Sequence, residues 1–405
     1  MRTSSIRRSR ARAAASAALG MLLVGIASVP AHAEGVKQWQ LDAFGAKEIW
    51  QLSTGKGVTV AVIDSGVDKT IPDLQGQVLK GKNLEPKQSG DEFTDYDGHG
   101  TGMAALIAGT GKSAYGLAPG AKILPVRVPG SVGGKVSQAE ANREFNRFMP
   151  EAIRFAVDSG AKVLNISQGS PEGSPQLTDA VKYALDKGAL VFGAVGNSGN
   201  KENRLEYPGA TPGVVGVGAI DRKLTRIPMS QYGPQVDIVA PGKDTVSACA
   251  AGTCTSSGTS DSTALASAAA ALIWSKHPDW TNNQVLKVML NTVAAPTEGP
   301  KRNDYIGYGA IRPLRALKTP GDPGPAGVRP IDDLEENVSA SPSADSSAGT
   351  PSSTASAPAP APAPAPVASG DDDGGNTSLW IGLGIGAAVL LGAAIAVPVL
   401  RSRRG

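Results

Sequence analysis

The 405 residues contain three histidines, His32, His99 and His277, so general-base chemistry by an imidazole has few carriers. His99 lies in Asp97-Gly98-His99-Gly100-Thr101, just ahead of an Ala-rich stretch that reads as a helix. Glycines on both sides leave the ring accessible and let another segment approach closely. A histidine base needs a nucleophile and an orienting carboxylate. Gly258-Thr259-Ser260 opens a helix that stays apolar and small from Ala264 through Trp274. Such a helix is buried, so its first turn aims the Ser260 hydroxyl and the positive helix end at one interior spot. A plain N-cap role for Ser260 or Thr259 is the competing reading. Asp64 ends the apolar run Val60-Ala61-Val62-Ile63, where a fixed carboxylate would set the imidazole tautomer. Asn197 ends another apolar run, and its amide could donate to a developing oxyanion. The chemistry these four residue types support together is acyl transfer through a hydroxyl nucleophile.

The elements that must position them are legible as apolar runs. Strands are predicted at Val58–Ile63, Ile123–Val128, Val163–Ile166, Ala189–Val195, Val214–Ala219 and Val236–Val239. Several lack in-out alternation, as expected where helices cover both faces of a sheet. Helices are predicted at about Thr101–Ala108, Glu151–Asp158, Leu177–Lys187 and Ser260–Lys276. This alternation predicts an α/β layered fold around a parallel sheet, with its active site at the carboxyl ends of the strands. At those ends stand Asp64-Ser65-Gly66, Ser167-Gln168-Gly169 and Gly196-Asn197-Ser198, small and polar residues that suit a cleft. His277, between Lys276 and Pro278, reads as a helix C-terminus where its ring meets the helix dipole favourably.

Asp64 in Val-Ile-Asp-Ser-Gly, His99 in Asp-Gly-His-Gly-Thr, Asn197 in Gly-Asn and Ser260 in Gly-Thr-Ser resemble the motifs of the subtilisin-like serine proteases. The chain order Asp, His, Ser matches that family, and the resemblance covers most of Val58 to Ala271. Within it the chain is most similar to the mycosins, membrane-anchored proteases associated with type VII secretion. The resemblance implies a three-layer fold and a serine endopeptidase acting on protein or peptide substrates. Asp64, His99 and Ser260 would be the triad and Asn197 part of the oxyanion hole. Ser167, Gln168 and Gly169 would line the substrate cleft and pair with an extended peptide backbone. No cofactor and no metal at the site are expected; structural calcium is possible but is not predicted. Two departures stand beside the nucleophile: Asp261 is acidic where small residues are usual, and Ala264 replaces a proline. About 30 residues separate Glu34 from Asp64, too few for a folded pro-domain; in mycosins a short extension packs on the protease domain instead.

The termini carry their own signals. Residues 1–33 combine five arginines, an apolar stretch and Ala31-His32-Ala33, the pattern of a cleaved export signal that takes His32 with it. The peptidase domain is placed at 34–318. A Pro/Ala/Ser/Asp-rich linker is placed at 319–376, of a composition too poor in apolar residues to fold. Leu379–Leu400 carries no charge, and its 22 residues span about 33 Å as a helix, enough to cross a bilayer. Arg401, Arg403 and Arg404 follow, so residues 401–405 are expected to form a cytoplasmic tail and the catalytic domain to be extracytoplasmic on a single-pass anchor in the cell membrane. The formal charge of +3 conceals a different domain. Without the arginines of the signal and the tail, 31 Lys+Arg face 36 Asp+Glu, a net charge of −5. With no basic stripe, nucleic acid is not an expected partner. The expected partners are the substrate, the membrane and a type VII secretion complex, for which a scaffolding role with dispensable proteolysis is the alternative function.

Other matches carry less. A second Asp-Ser-Gly at Asp158 ends a helical stretch, which excludes a symmetric aspartic dyad. Gly109-Thr110-Gly111-Lys112-Ser113 lacks the earlier glycine of a phosphate loop, because Leu106 stands there. Cys249 and Cys254 are close enough in sequence for a local disulfide in an exported domain, with a metal pair the alternative.

Overall fold

In the strand Thr59–Asp64, Val60 and Val62 face one core and Ala61 and Ile63 face another. Both faces are therefore covered, and the apolar run without alternation follows from that. The computed structural model describes residues 37–129 and 137–334. The export signal, the span Leu379–Leu400, the tail and most of the linker lie outside them. No helix among the described residues is long and apolar enough to cross a membrane.

In chain order, α1 (Trp39–Phe44) and α2 (Ala46–Leu52) precede β1 (Thr59–Asp64). The short β2 (Lys82–Asn83), α3 (His99–Ala108), β3 (Lys122–Arg127), α4 (Gln138–Asp158), β4 (Val163–Ile166) and α5 (Pro175–Asp186) follow. Then come β5 (Leu190–Ala194), β6 (Val215–Ile220), β7 (Ile238–Pro241), β8 (Thr245–Cys249) and β9 (Gly252–Ser256). The helices α6 (Thr259–Lys276), α7 (Asn282–Thr292) and α8 (Pro313–Lys318) close the domain. Seven strands form one parallel sheet in the order β2-β3-β1-β4-β5-β6-β7, and β8 pairs with β9 as a separate antiparallel hairpin. Helices α3, α6, α7 and α8 pack on one face, and α4 and α5 on the other.

The chain leaves β1 toward β3, then crosses to β4 on the other side of β1. That reversal opens a crevice at the carboxyl ends of β1 and β4, the place where such sheets hold their ligands. Asp64 ends β1, and Ser167 and Gln168 follow β4 directly. Helix α6 is buried at every position from Thr259 to Trp274. A helix apolar all round can exist only inside the molecule, so its N-terminus reaches the crevice from within.

The predicted strands all form, but two other readings need correction and one hairpin is added. Helix α4 begins at Gln138 rather than Glu151 and runs through Pro150. The Ser137 hydroxyl accepts the Glu140 N–H at 3.2 Å and caps it, and the buried stripe Phe148, Met149, Ala152, Ile153 and Ala156 continues across the proline. The hairpin β8–β9 is the addition, formed by strands that carry no continuous apolar run. Finally, residues 319–334, placed with the linker by composition, lie against the domain. Ile331 is buried in the core. The Asp333 carboxylate accepts the Gly213 N–H at 2.9 Å and pairs with Arg329 at 2.6 Å. The Gly324 and Ala326 carbonyls accept from Gln284 and Thr281 at 3.0 and 2.9 Å.

At the other end, the extension ahead of β1 is tied down by side chains. Gln40 Nε2 donates to the Val246 carbonyl at 2.7 Å, and Trp39 Nε1 to the Lys243 carbonyl at 3.0 Å. Gln38 bonds Tyr115 both ways, its Nε2 to the carbonyl at 2.7 Å and its Oε1 from the N–H at 2.8 Å.

Candidate active site

Asp64 is fully buried, and its Oδ1 lies 2.8 Å from His99 Nδ1. The same oxygen accepts the Ser65 N–H at 2.7 Å and Gln168 Nε2 at 2.9 Å. Burial by itself pushes this carboxyl up. The His99 imidazole, together with the Ser65 and Gln168 bonds, outweighs that and holds it below its ordinary value. His99 responds in kind. The Asp64 charge, opposed by burial and helped by the hydrogen bond, by Asp97 and by Asp261, raises its pKa to about 9. Its side chain remains 34% exposed, so the ring is accessible from the crevice.

The loop that presents His99 is held by a carboxylate that sequence reasoning passed over. Asp95 Oδ1 accepts from Ser65 Oγ at 2.9 Å and from the Gly98 N–H at 3.0 Å. Its Oδ2 accepts the Thr101 N–H at 2.8 Å and Thr101 Oγ1 at 2.5 Å. Asp97 Oδ1 takes the His99 N–H at 2.8 Å. The first turn of α3 is thereby tied to the end of β1. Gly100 makes the approach feasible: a Cβ there would stand 2.1 Å from the Gly66 carbonyl oxygen and 3.0 Å from the Asp64 Cβ.

Ser260 is the second residue of α6 and is 8% exposed. Its hydroxyl makes a long bond to the Ser167 carbonyl at 3.4 Å, while Ser167 Oγ reaches the Ser260 carbonyl at 3.3 Å. Two consecutive residues after β4 therefore bridge the site, Ser167 touching Ser260 and Gln168 touching Asp64. Asn165, inside β4, seats the helix further along by accepting Ser267 Oγ at 3.2 Å. The Gln168 side chain is buried against Asp64 rather than lining the cleft with its amide, whereas Gly169 is exposed. Asn197 Oδ1 accepts the Thr259 N–H at 3.0 Å and Thr259 Oγ1 at 3.2 Å. These bonds orient the side chain and leave Nδ2 as a donor beside the start of α6.

Asp261 is buried, and its carboxyl is raised by that burial. Its Oδ1 accepts Thr245 Oγ1 at 2.6 Å and also the Ser256 hydroxyl. The acidic neighbour of Ser260 thus anchors the β8–β9 hairpin to the first turn of α6. Cys249 and Cys254 are joined by a disulfide across that hairpin, with Cα atoms 5.9 Å apart. His277 caps α6, its ring stacked on Trp280 at 3.8 Å between centroids. Ala264 is fully buried in α6.

A family model described as the subtilase family matches residues 55–309. Subtilisin Savinase from Lederbergia lenta is 37% identical over 246 residues, covering 60% of this chain and 85% of that protein. Among solved structures, MycP1 from Mycobacterium smegmatis superposes with a TM-score of 0.64 at 27% identity, covering 73% of this chain and 88% of the other. The MycP3 protease from the type VII (ESX-3) secretion system gives 0.62 at 30% identity, covering 70% and 89%.

Proposed function

The chain belongs to the subtilase family of serine endopeptidases, and from that premise we propose that Asp64, His99 and Ser260 form its catalytic triad in a membrane-anchored enzyme facing away from the cytoplasm. The observation that carries the reading is the Ser167-Gln168 bridge, which ties the Asp64–His99 pair and Ser260 into one connected site.

The chemistry follows from the geometry. Asp64 occupies Nδ1 of His99, so Nε2 is the nitrogen available as base. The long bond from Ser260 to the Ser167 carbonyl holds the hydroxyl loosely, and attack requires it to swing from that carbonyl to the imidazole. His99 takes the hydroxyl proton as the oxygen bonds to the scissile carbonyl carbon. The resulting oxyanion is held by Asn197 Nδ2 and the Ser260 N–H at the positive end of α6. As the C–N bond breaks, His99 returns its proton to the leaving amine. Water then repeats the sequence and releases Ser260. Gln168 acts as a positioning residue, fixing the carboxylate that fixes the ring.

Membrane attachment rests on Leu379–Leu400 and the arginines after it. Association with type VII secretion rests on likeness to MycP1 and MycP3. Both are tested in the producing cell. Ser260→Ala should abolish substrate cleavage while the full chain stays in the membrane fraction. Persistent cleavage, or release of the full chain by carbonate washing, would refute the respective part. If export fails when the protein is deleted but survives Ser260→Ala, the secretion role is structural.

A further inference from the structure

The cleft contains one carboxylate that the proposed chemistry leaves unused. Glu206 lies between β5 and β6. Paired bonds between Ser170 and Tyr207, of 2.9 and 2.7 Å, clamp its segment beside the loop that follows β4. Its side chain sits between two glycines. A Cβ on Gly169 would be 2.9 Å from Glu206 Oε2, and one on Gly196 would be 2.7 Å from its Cδ. One oxygen is held: Oε1 accepts Gln231 Nε2 at 2.9 Å, and the same nitrogen reaches Ser198 Oγ at 2.9 Å. Among the described residues Oε2 makes no hydrogen bond, and no cation pairs with the carboxylate. Burial raises the carboxyl above its ordinary value, and the Gln231 bond only partly offsets this.

The place of this group defines what it meets. Gly196 immediately precedes Asn197, the oxyanion donor, and Gly169 follows the two residues that bridge Ser260 and Asp64. The slot between the glycines therefore opens beside the scissile carbonyl. The side chain one bond away from that carbonyl belongs to the residue contributing it, and it enters the slot first. Neither glycine carries a side chain, and the Glu206 carboxylate takes up the space between them, with Oε2 unused. A side chain ending in a cation fits these constraints, because its head can pair with Oε2 at the level of the two glycines while its methylenes lie along the cleft.

We propose that Glu206 selects substrates with lysine or arginine immediately before the cleaved bond. The assignment rests on the triad reading above, since it places the scissile carbonyl beside Asn197.

The test is kcat/KM on tetrapeptide p-nitroanilides that differ only in the last residue, with active-site labelling by a fluorophosphonate run on every sample. Wild-type protein should cleave the Lys and Arg substrates about tenfold or more faster than the Phe substrate. Glu206→Gln, which keeps an acceptor for Gln231, should lower the Lys and Arg values by about tenfold and leave Phe within about twofold. Benzamidine, a small aromatic cation, should compete with substrate in the wild type and lose most of its effect in Glu206→Gln. A wild type that labels and cleaves but favours Phe or Leu would overturn the assignment, and this needs no variant to fold. An unchanged Lys-to-Phe ratio in a labelled Glu206→Gln would do the same. Wild-type protein that neither labels nor cleaves would bring down the triad reading and this one with it.

Discussion

At the scale of single residues, the site depends on one buried carboxylate held from three sides. Asp64 accepts from His99, Ser65 and Gln168, all at Oδ1, while its buried Oδ2 has no hydrogen-bond partner among the described residues. The imidazole must be neutral to act as base, and its pKa stands at about 9. The expected outcome is a kcat/KM that climbs with pH toward a plateau above about pH 9. Asp64→Asn should move that limb down toward the ordinary 6.5 and lower kcat by about 10⁴-fold. A profile unchanged by the substitution would contradict the pairing. Stability has the matching sign. A raised histidine pKa adds stability that is complete below 6.5 and lost as pH rises through 9, while the lowered Asp64 adds stability lost as pH falls below 3.8. The pair contributes most between those ordinary values. Of these residues, Asp64, His99 and Ser260 stand out in the sequence because each sits where an apolar run meets small or polar neighbours. Asp95, Gln231 and Glu206 do not. Their partners, such as Gly98 for Asp95 or Gly169 for Glu206, are visible only once separate loops have been brought together, and no periodicity records that.

At the scale of elements, α6 does the positioning, and what anchors its first turn can be measured. Asp261 accepts from Thr245 and Ser256, on opposite strands of the disulfide-closed hairpin. Removing the acceptor takes the shortest partner from the buried Thr245 hydroxyl and from the half-buried Ser256 hydroxyl, leaving only the longer bonds between those two residues. Asp261→Ala should therefore lose about 1–3 kcal/mol in urea unfolding, while Asp261→Asn, which retains an acceptor oxygen, should lose less. Equal losses would show that the hairpin does not lean on Asp261. The six sheet strands predicted from sequence were legible because strands buried on both faces are apolar without alternation. The front half of α4 was hidden by Pro150, although the restriction a proline places on its predecessor is a bias that a capped, amphipathic helix can override. Helices α1 and α2, of six and seven residues, are too short for a 3.6-residue period to declare itself.

At the scale of the whole domain, the boundary lies further along the chain than composition indicates. Residues 319–334 contain prolines and glycines and no periodic stripe, which is how a linker reads. A few specific contacts decide otherwise, chiefly Ile331 in the core and Asp333 on the Gly213 N–H. A chain ending at 318 should be about 2–4 kcal/mol less stable than one ending at 334, from one buried isoleucine and its neighbouring hydrogen bonds. Equal melting temperatures would return this segment to the linker. Without the arginines of residues 1–33 and 401–405 the chain carries a net charge of −5, which bears on solubility and long-range steering and leaves catalysis itself to the few residues at the crevice.

The most direct test of Ser260 as the nucleophile is covalent labelling of the purified, folded domain by a fluorophosphonate, with the modified peptide located by mass spectrometry. The account predicts one label per molecule, on Ser260, absent from Ser260→Ala and strongly slowed in His99→Ala. Folded protein that takes up no label, or an equal label on Ser260→Ala, would contradict it.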